Sequence, residues 1–175
     1  MTARRDASNS YLRYKAEAEE ALRSCGVPAV ILRCDHIYGP PSQPGPTASA
    51  FVAKSGRVTL LGSGTQRLAP LYRDDVVEAI LHAALDPETP TGTFEFAGPD
   101  TVTAEEFARL LNSKPIRIRR IPRTLARMLG QVVPTLTPDL ADVMASDAVP
   151  TEDVAATARL FGVELHHLRD VWRTP

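Results

Sequence analysis

The chain has 175 residues, 43% of them hydrophobic and 23% charged, which predicts one globular domain that folds without disulfides or metals. A net charge of −1 argues against nucleic acid and anionic membranes as partners. No apolar run reaches the length of a membrane span, and the N-terminus lacks the apolar segment of a signal peptide, so we expect a cytoplasmic protein. Cys25 and Cys34 are expected to stay reduced, and no set of residues has metal-ligand spacing.

The first predicted elements are a helix and a strand. Small and apolar residues recur with helical spacing over residues 11–24, and Gly26 ends this helix. The continuous apolar run at 29–32 is typical of a strand that is buried on both faces of a parallel sheet. Residues 35–46 contain four prolines and are predicted to be irregular. This order of parts is half of a βαβ crossover.

The rest of the chain is predicted to alternate between short strands and helices. The predicted strands are 58–61, 68–72, 93–97 and 115–121, and the predicted helices include 48–54, 122–130, 138–146, 151–160 and 165–172. Asp74 or Asp75 is expected to cap a further helix that runs to Leu85. The apolar face of that helix comprises Val76, Val77, Ile80, Leu81 and Ala84. Thr103 and Glu106 have the spacing of a capping box.

Charged residues are unevenly distributed in the C-terminal third. Residues 114–127 contain six Lys or Arg and no acid, whereas residues 139–153 contain five Asp or Glu and no base. The basic segment has the composition of a phosphate-binding stripe. Two solvated surfaces that attract each other weakly explain the same pattern, and we favour this second interpretation.

Tyr11 and Lys15 are four residues apart on the first predicted helix and therefore share a face. A lysine ammonium near a phenol favours the phenolate, so such a tyrosine can act as a general acid or base near neutral pH. An ordinary helix surface presents the same pair, and the surrounding residues decide between the two interpretations.

Five motifs resemble the extended and atypical short-chain dehydrogenase/reductases, a group that includes NAD-dependent epimerases and dehydratases and NmrA-like proteins. The matching segments are Tyr11-x-x-x-Lys15, Gly26-Val27-Pro28, Ile31-Leu32-Arg33-Cys34 with Ile37-Tyr38-Gly39-Pro40, Pro70 to Ile80, and Phe94 to Pro99 with Thr103-x-x-Glu106. They keep the family's order between residues 10 and 130. The resemblance implies an α/β fold in one domain, residues 1–175. A truncated Rossmann-like part with a partial doubly wound parallel sheet takes residues 10–61, and a small α+β C-terminal substrate-binding lobe takes residues 62–175.

The family's glycine-rich turn, which cradles the cofactor pyrophosphate, has no counterpart before Tyr11. Gly62-Ser63-Gly64 lies at another place in the order, and Cys34 stands where the family usually has proline. The resemblance therefore implies the C-terminal half of such a protein. We expect the chain alone to bind no cofactor, and NAD(P) to bind only if a partner chain supplies the nucleotide-binding half.

The resemblance also implies a candidate site at the carboxyl end of the strand at 29–34. The residues assigned to it are Tyr11, Lys15 and His36 as catalytic groups and Asp35, Tyr38 and Arg73 as substrate contacts. A loop histidine such as His36 is often simply solvated, and Arg73 equally suits a surface ion pair with Asp74 or Asp75. The expected substrate is a small hydrophobic metabolite.

Three functions fit these observations. The preferred one is a cofactor-independent enzyme, of the cyclase or isomerase type, that uses acid/base chemistry in bacterial-type biosynthesis. The alternatives are half of a split NAD(P)-dependent reductase or epimerase, and a non-catalytic binding or assembly domain. In each case the strand at 29–34 has an open edge, so we expect a homodimer or a partner chain to cover it.

Overall fold

A computed structural model describes residues 9–129 and 137–172. The helices in this part of the chain are α1 (Ser10–Ser24), α2 (Gly45–Ser49), α3 (Arg73–Leu85), α4 (Ala104–Leu110), α5 (Arg123–Leu129), α6 (Pro138–Met144), α7 (Val154–Leu160) and α8 (Leu168–Val171). The strands are β1 (Val30–Cys34), β2 (Ile37–Tyr38), β3 (Arg57–Leu61), β4 (Arg67–Leu68), β5 (Leu71–Tyr72), β6 (Gly92–Phe96), β7 (Val102–Thr103) and β8 (Arg117–Ile121). None of these helices is long and apolar enough to cross a membrane.

The strands form four pairs in the described residues. β1 runs parallel to β6, with Leu32 beside Phe94 and Arg33 beside Glu95. β2 runs parallel to β5, β3 runs parallel to β8, and β4 is antiparallel to β7. The parallel pairs and the interspersed helices confirm the predicted α/β class. β1 has a partner on one edge only within the described residues.

Helices cover both faces of the β1–β6 pair. On one face an apolar core joins the strands to α3 and α7, and its buried residues are Leu71, Val76, Ala79, Phe96, Ala158, Phe161 and Val163. On the other face, Arg33 of β1 binds Glu19 of α1 at 2.7 Å. Arg23 of α1 donates to the Thr93 hydroxyl of β6 at 2.8 Å. This layering is that of a Rossmann-like sheet.

A second core lies under α4. It brings Tyr38, Phe51 and Leu60 against Phe107, with the rings of Phe51 and Phe107 4.9 Å apart. The predicted capping box of α4 is confirmed, because the Glu106 N–H donates to Thr103 Oγ1 at 3.1 Å and the Thr103 N–H donates to the Glu106 carboxylate at 2.8 Å. The division between residues 61 and 62 stays a prediction.

The first helix and strand lie where they were predicted, but the burial prediction is wrong. α1 begins after Asn9, whose side chain accepts a hydrogen bond from the Leu12 N–H at 3.2 Å. No residue of α1 is buried, and all five residues of β1 are partly exposed. A strand is buried on both faces only inside a sheet, whereas β1 stands at an edge of the described part.

Three other predicted segments are displaced or broken. Residues 35–46 are not wholly irregular, because they contain β2 and the start of α2. The helix predicted at 48–54 instead spans Gly45–Ser49, and Pro46 fits its first turn. The strand predicted at 68–72 is split into β4 and β5, since Ala69 bonds to Ala148 rather than continuing either ladder. The end of the helix predicted at 122–130 reaches beyond the described residues.

The helix predicted from Asp74 to Leu85 is present as α3, but it is capped and buried differently. Its N-cap is Tyr72, which makes no side-chain capping bond, so neither Asp74 nor Asp75 is the cap. Val76 is buried as predicted, whereas Val77, Ile80 and Leu81 are exposed. An apolar pattern indicates which face of a helix would be stabilised by burial. No described residue covers this face of α3.

The aromatic centre of the first core provides a test of the fold. Phe161 is fully buried, with its ring 5.3 Å from Phe94 and 6.2 Å from Phe96. We expect Phe161→Ala to lower the free energy of unfolding by about 3–5 kcal/mol. The neighbouring Leu160 is 39% exposed, so Leu160→Ala should cost no more than about 1 kcal/mol. Urea unfolding followed by circular dichroism measures both, and equal losses would contradict this packing.

Candidate functional site

Tyr11 and Lys15 lie on the first turns of α1, and both side chains are exposed. The Lys15 ammonium is 5.7 Å from the centroid of the Tyr11 ring, so the predicted shared face is confirmed. Tyr11 is eight residues before Glu19, which contacts β1, and this spacing places it ~12 Å further along the helix. Glu19 reaches Arg33 near the end of β1, whereas Arg23 reaches Thr93, which lies beside Ile31 nearer the start of that strand. α1 therefore runs antiparallel to β1, and Tyr11 lies beyond the strand's carboxyl end.

Asp35 and His36 directly follow β1 and form a buried pair. Their side chains are 8% and 7% exposed, and the His36 Nδ1 lies 2.7 Å from the Asp35 carboxylate. The other Asp35 oxygen accepts the Ala69 N–H at 2.5 Å. The His36 ring also packs edge-on against Phe51. His36 is therefore a packed residue rather than the solvated loop histidine that was considered as the alternative.

Tyr38 and Arg73 occupy different surroundings. Tyr38 is fully buried beside the rings of Tyr72 and Phe107, and burial raises the pKa of its phenol. Its hydroxyl has no hydrogen-bond partner among the described residues. Arg73 lies at the surface, where it binds Asp74 at 2.9 Å and Gln43 at 3.1 Å. The ion pair considered as the alternative for Arg73 is therefore present.

The carboxyl end of β1 encloses little space. A cavity of about 20 Å³ lies between Cys34, Asp35, Glu95 and Pro150, which is room for a single water molecule. Burial raises the pKa of the Cys34 thiol to about 11, so this thiol stays protonated at neutral pH. The described contacts join Tyr11 to Lys15 and Asp35 to His36, but they do not join these two pairs to each other.

An apolar stripe runs along the outer flank of α1. Successive residues in a helix are ~100° apart, so Tyr11, Tyr14, Ala18 and Leu22 share one flank. That flank is turned away from Arg23, the residue that reaches across to β6. All four side chains are exposed. The stripe therefore faces past the edge of β1 that has no strand partner in the described residues.

A second stripe lies on α3, on the opposite face of the sheet. It consists of Val77, Ile80, Leu81 and Leu85, which are between 48% and 78% exposed. His82, on the other flank of α3, lies against Gly162 just after α7, and α7 packs on β6. The apolar stripe on α3 therefore also faces away from β6. We call the unpaired edge of β1 and the two stripes the open side.

Comparison with known proteins identifies the relatives of this fold. A sequence profile of the NAD dependent epimerase/dehydratase family matches residues 2–95, more than half of the chain. The chain belongs to this family. It is also 37% identical over 113 residues to NADH dehydrogenase (ubiquinone) 1 alpha subcomplex subunit 9, mitochondrial, of Arabidopsis thaliana. That alignment covers 64% of the chain and 27% of the plant protein.

Solved epimerases of the family have the same fold. A nucleoside-diphosphate-sugar epimerase from Staphylococcus aureus matches 99% of the chain with a TM-score of 0.68 at 14% identity. UDP-glucuronic acid 4-epimerase from Bacillus cereus, solved with UDP-glucuronic acid and NAD, matches 93% with a TM-score of 0.63 at 17% identity. The chain spans 62% and 48% of those two proteins and about a quarter of the plant one.

Members of the epimerase/dehydratase family bind NAD, but the Gly62-Ser63-Gly64 turn is not an open dinucleotide cradle. Gly62 and Gly64 both have left-handed φ angles, as in phosphate-binding loops. A Cβ added to Gly62 would contact Ala145, and one added to Gly64 would contact Leu60 and Arg120. The space beside this turn is filled by the protein itself. The described residues also contain no group of three potential metal ligands.

Two histidines to which the sequence assigned no role bind carboxylates. Asp75 is fully buried at the start of α3 and accepts the His166 backbone N–H at 3.0 Å, and the His166 ring nitrogen lies 2.6 Å away. Asp100 accepts the Leu168 N–H at 2.7 Å, and the His167 Nδ1 lies 2.9 Å from it. Two adjacent histidines in the sequence could have indicated a pair of polar contacts here. Their partners, Asp75 and Asp100, could not be predicted because they are distant in sequence.

The Asp100–His167 contact makes a pH-dependent contribution to stability. The hydrogen bond to Asp100 raises the pKa of the exposed His167. Because the pKa of His167 is raised in the folded state, the contact stabilises the fold fully at pH values below the unfolded-state pKa of about 6.5. This stabilisation is lost as the pH rises through the folded-state pKa. We expect His167→Gln to lower the urea midpoint at pH 5.5 more than at pH 8.5. Asp100→Asn should lower the His167 pKa toward its ordinary value, which an NMR titration measures. An unchanged pKa would contradict Asp100 as the cause of the shift.

Proposed function

We propose that the chain is the C-terminal half of a nucleotide-binding α/β fold, and that it works by docking a second α/β unit that carries the glycine-rich turn. The open side carries this proposal. An unpaired strand edge offers backbone donors and acceptors, and the stripes on α1 and α3 offer apolar surface on either side of it. A unit with a parallel strand between two helices would satisfy all three features together.

The comparisons support the same geometry. The chain matches family members over about half of their length, and those structures hold NAD and nucleotide sugars. In this proposal the docked unit is a separate polypeptide, and it would supply the glycine-rich cradle. Completion of the sheet would also enclose the carboxyl end of β1, where the small cavity now lies.

Tyr11 and Lys15 would then line the junction between the two units. Tyr11 projects beyond the carboxyl end of β1 from the same flank of α1 that carries the stripe. Its phenol would donate a proton to a bound substrate or accept one from it, with the Lys15 ammonium nearby to stabilise the phenolate. Asp35 and His36 would line the junction from the side of this chain and would not move on docking, because hydrogen bonds within the chain already hold both side chains.

Charge placed on the open side should prevent docking. We expect Val77→Glu with Leu81→Glu to leave the chain folded, because both residues are exposed, and to abolish capture of the second unit by the tagged protein. The matched control is Met128→Glu, another exposed apolar residue on α5. Mass spectrometry should show a glycine-rich βα turn in the captured polypeptide. NADH fluorescence should report binding by the complex and none by the chain alone.

Three results would overturn this proposal. One is tight, saturable NADH binding by the chain alone. Another is light scattering that shows a monodisperse monomer with no captured polypeptide at micromolar concentration. The third is a second copy of the chain on the open side, which would make the protein a homodimer.

A second candidate is a non-catalytic assembly role, and the plant relative favours it. That relative is a subunit of NADH dehydrogenase by name, and it shares 37% identity with the chain, well above the identities of the solved epimerases. In this role the open side docks a partner as before, and Tyr11 and Lys15 have no chemical task.

Complementation separates the two candidates. In a cell that lacks the protein, an enzyme requires Tyr11 and Lys15, so Tyr11→Phe and Lys15→Ala should fail to restore function although both still capture the second unit. An assembly subunit tolerates both changes and fails only with Val77→Glu and Leu81→Glu. Restoration by Tyr11→Phe would exclude the catalytic role.

A cofactor-independent cyclase or isomerase has less support. It requires His36 to work beside Tyr11 and Lys15 in a substrate pocket, whereas no described contact joins His36 to either residue and the cavity after β1 has room for only one water molecule. If the isolated chain turned over a hydrophobic metabolite and His36→Gln abolished that activity, a cofactor-independent enzyme would be favoured over the other two functions.

A further inference from the structure

Strands β3 and β8 form a two-stranded parallel ribbon with one basic face. The register places Arg57 beside Arg117 and Thr59 beside Arg119. Side chains alternate along a strand, so Val58 and Leu60, which flank Thr59 on β3, turn inward and are buried. All four outward residues are exposed.

A tight turn adds a fourth cation to this face. The backbone of Lys54 and that of Arg57 exchange two hydrogen bonds of 3.0 and 3.1 Å, which makes them direct cross-strand neighbours. Between them, Ser55 and Gly56 have left-handed φ angles of 51° and 71°. Such a turn is unfavourable for a residue with a side chain. We call Lys54, Arg57, Arg117 and Arg119 the basic ribbon.

The basic ribbon has no acidic partner in residues 9–129 and 137–172. No carboxylate of this part lies within 4.0 Å of any of the four cations. Other bases of the same segment are paired, Arg120 with Glu105 and Arg123 with Asp142. Like charges on directly opposed strand positions are destabilising. An anion bound across the ribbon would relieve that repulsion.

The backbone beside the ribbon also indicates what kind of anion fits. The Arg117 N–H donates to Gly56 at 2.9 Å, and Ile121 accepts from Gly62 at 2.8 Å, so these residues direct their backbone groups toward β3. By alternation, the N–H and C=O of Ile118 and Arg120 point to the other edge of β8. No strand of the described part pairs with that edge.

We propose that this edge of β8 binds an extended acidic segment of a partner protein as an added strand. Alternate residues of such a strand lie on one face about 6.6–6.8 Å apart, the same spacing as that between Arg117 and Arg119. Alternating carboxylates therefore meet successive cations, while the backbone of the segment pairs with Ile118 and Arg120. A nucleic acid fits less well, because none of the outward residues of the ribbon is an aromatic that could stack on a base.

The test is fluorescence anisotropy of the full chain with a labelled eight-residue peptide of alternating Glu and Thr. Arg117→Gln with Arg119→Gln should weaken binding about tenfold, since two exposed ion pairs are lost. The matched control, Arg159→Gln with Arg169→Gln, removes the same charge elsewhere and should leave the affinity within about twofold. A block peptide of four Glu followed by four Thr should bind more weakly than the alternating one.

A second measurement separates strand addition from simple charge attraction. N-methylation of every other amide blocks one edge of the peptide strand, so one of the two alternating N-methyl series should abolish binding and the other should preserve it. Equal effects of the two series would overturn the proposal, as would an unchanged affinity in the ribbon variant. Tighter, ribbon-dependent binding of single-stranded DNA or phosphatidylserine vesicles would also overturn it, in favour of a phosphate ligand.

Discussion

The parallel pairing of β1 with β6 is the constraint on which the rest of the structure depends. A parallel pair needs a long crossover connection, and here α3 lies within that connection and returns the chain to the same sheet. The pair has α1 on one face and α3 with α7 on the other. Because β1 is paired on one edge only, each of α1 and α3 has one flank against its neighbours and one flank free. The open side is thus a direct consequence of one strand's position.

Three aspartates fix the loops around this sheet in the same way. Asp35, Asp75 and Asp100 each accept a backbone N–H with one oxygen, from Ala69, His166 and Leu168 respectively, and each lies within hydrogen-bond distance of a histidine ring. A carboxylate that accepts a backbone N–H and a ring N–H compensates for its own desolvation. These histidines therefore have structural partners, and the contacts connect the C-terminal tail to α3 and to the loop after β6.

Local features of the fold could be predicted from sequence, and features that depend on distant partners could not. The Thr103–Glu106 capping box and the Tyr11–Lys15 face are set by residues within one or two turns, and both were correct. The burial of the Asp35–His36 pair depends on Ala69, which donates to Asp35, and on Phe51, which packs on His36, and no local pattern reveals either contact. The α3 pattern placed Val77 and Leu81 on an apolar face, but both are exposed, because an amphipathic pattern does not say whether a covering element lies among the described residues.

The basic segment shows why composition alone gave the less informative interpretation. Counted along the sequence, every charged residue of 114–127 is basic and every charged residue of 139–153 is acidic, so the two segments nearly balance in charge. In the fold, Asp142 pairs with Arg123 and Arg127, while Arg117 and Arg119 lie on the outward face of β8 beside Arg57 and Thr59. Strand alternation separates paired from unpaired cations. The protein thus has two chemically different exposed surfaces. The proposed association at the apolar open side would tolerate salt, whereas the proposed contacts of the basic ribbon would be screened by it. Partners on these two surfaces would be recognised by different chemistry and need not compete.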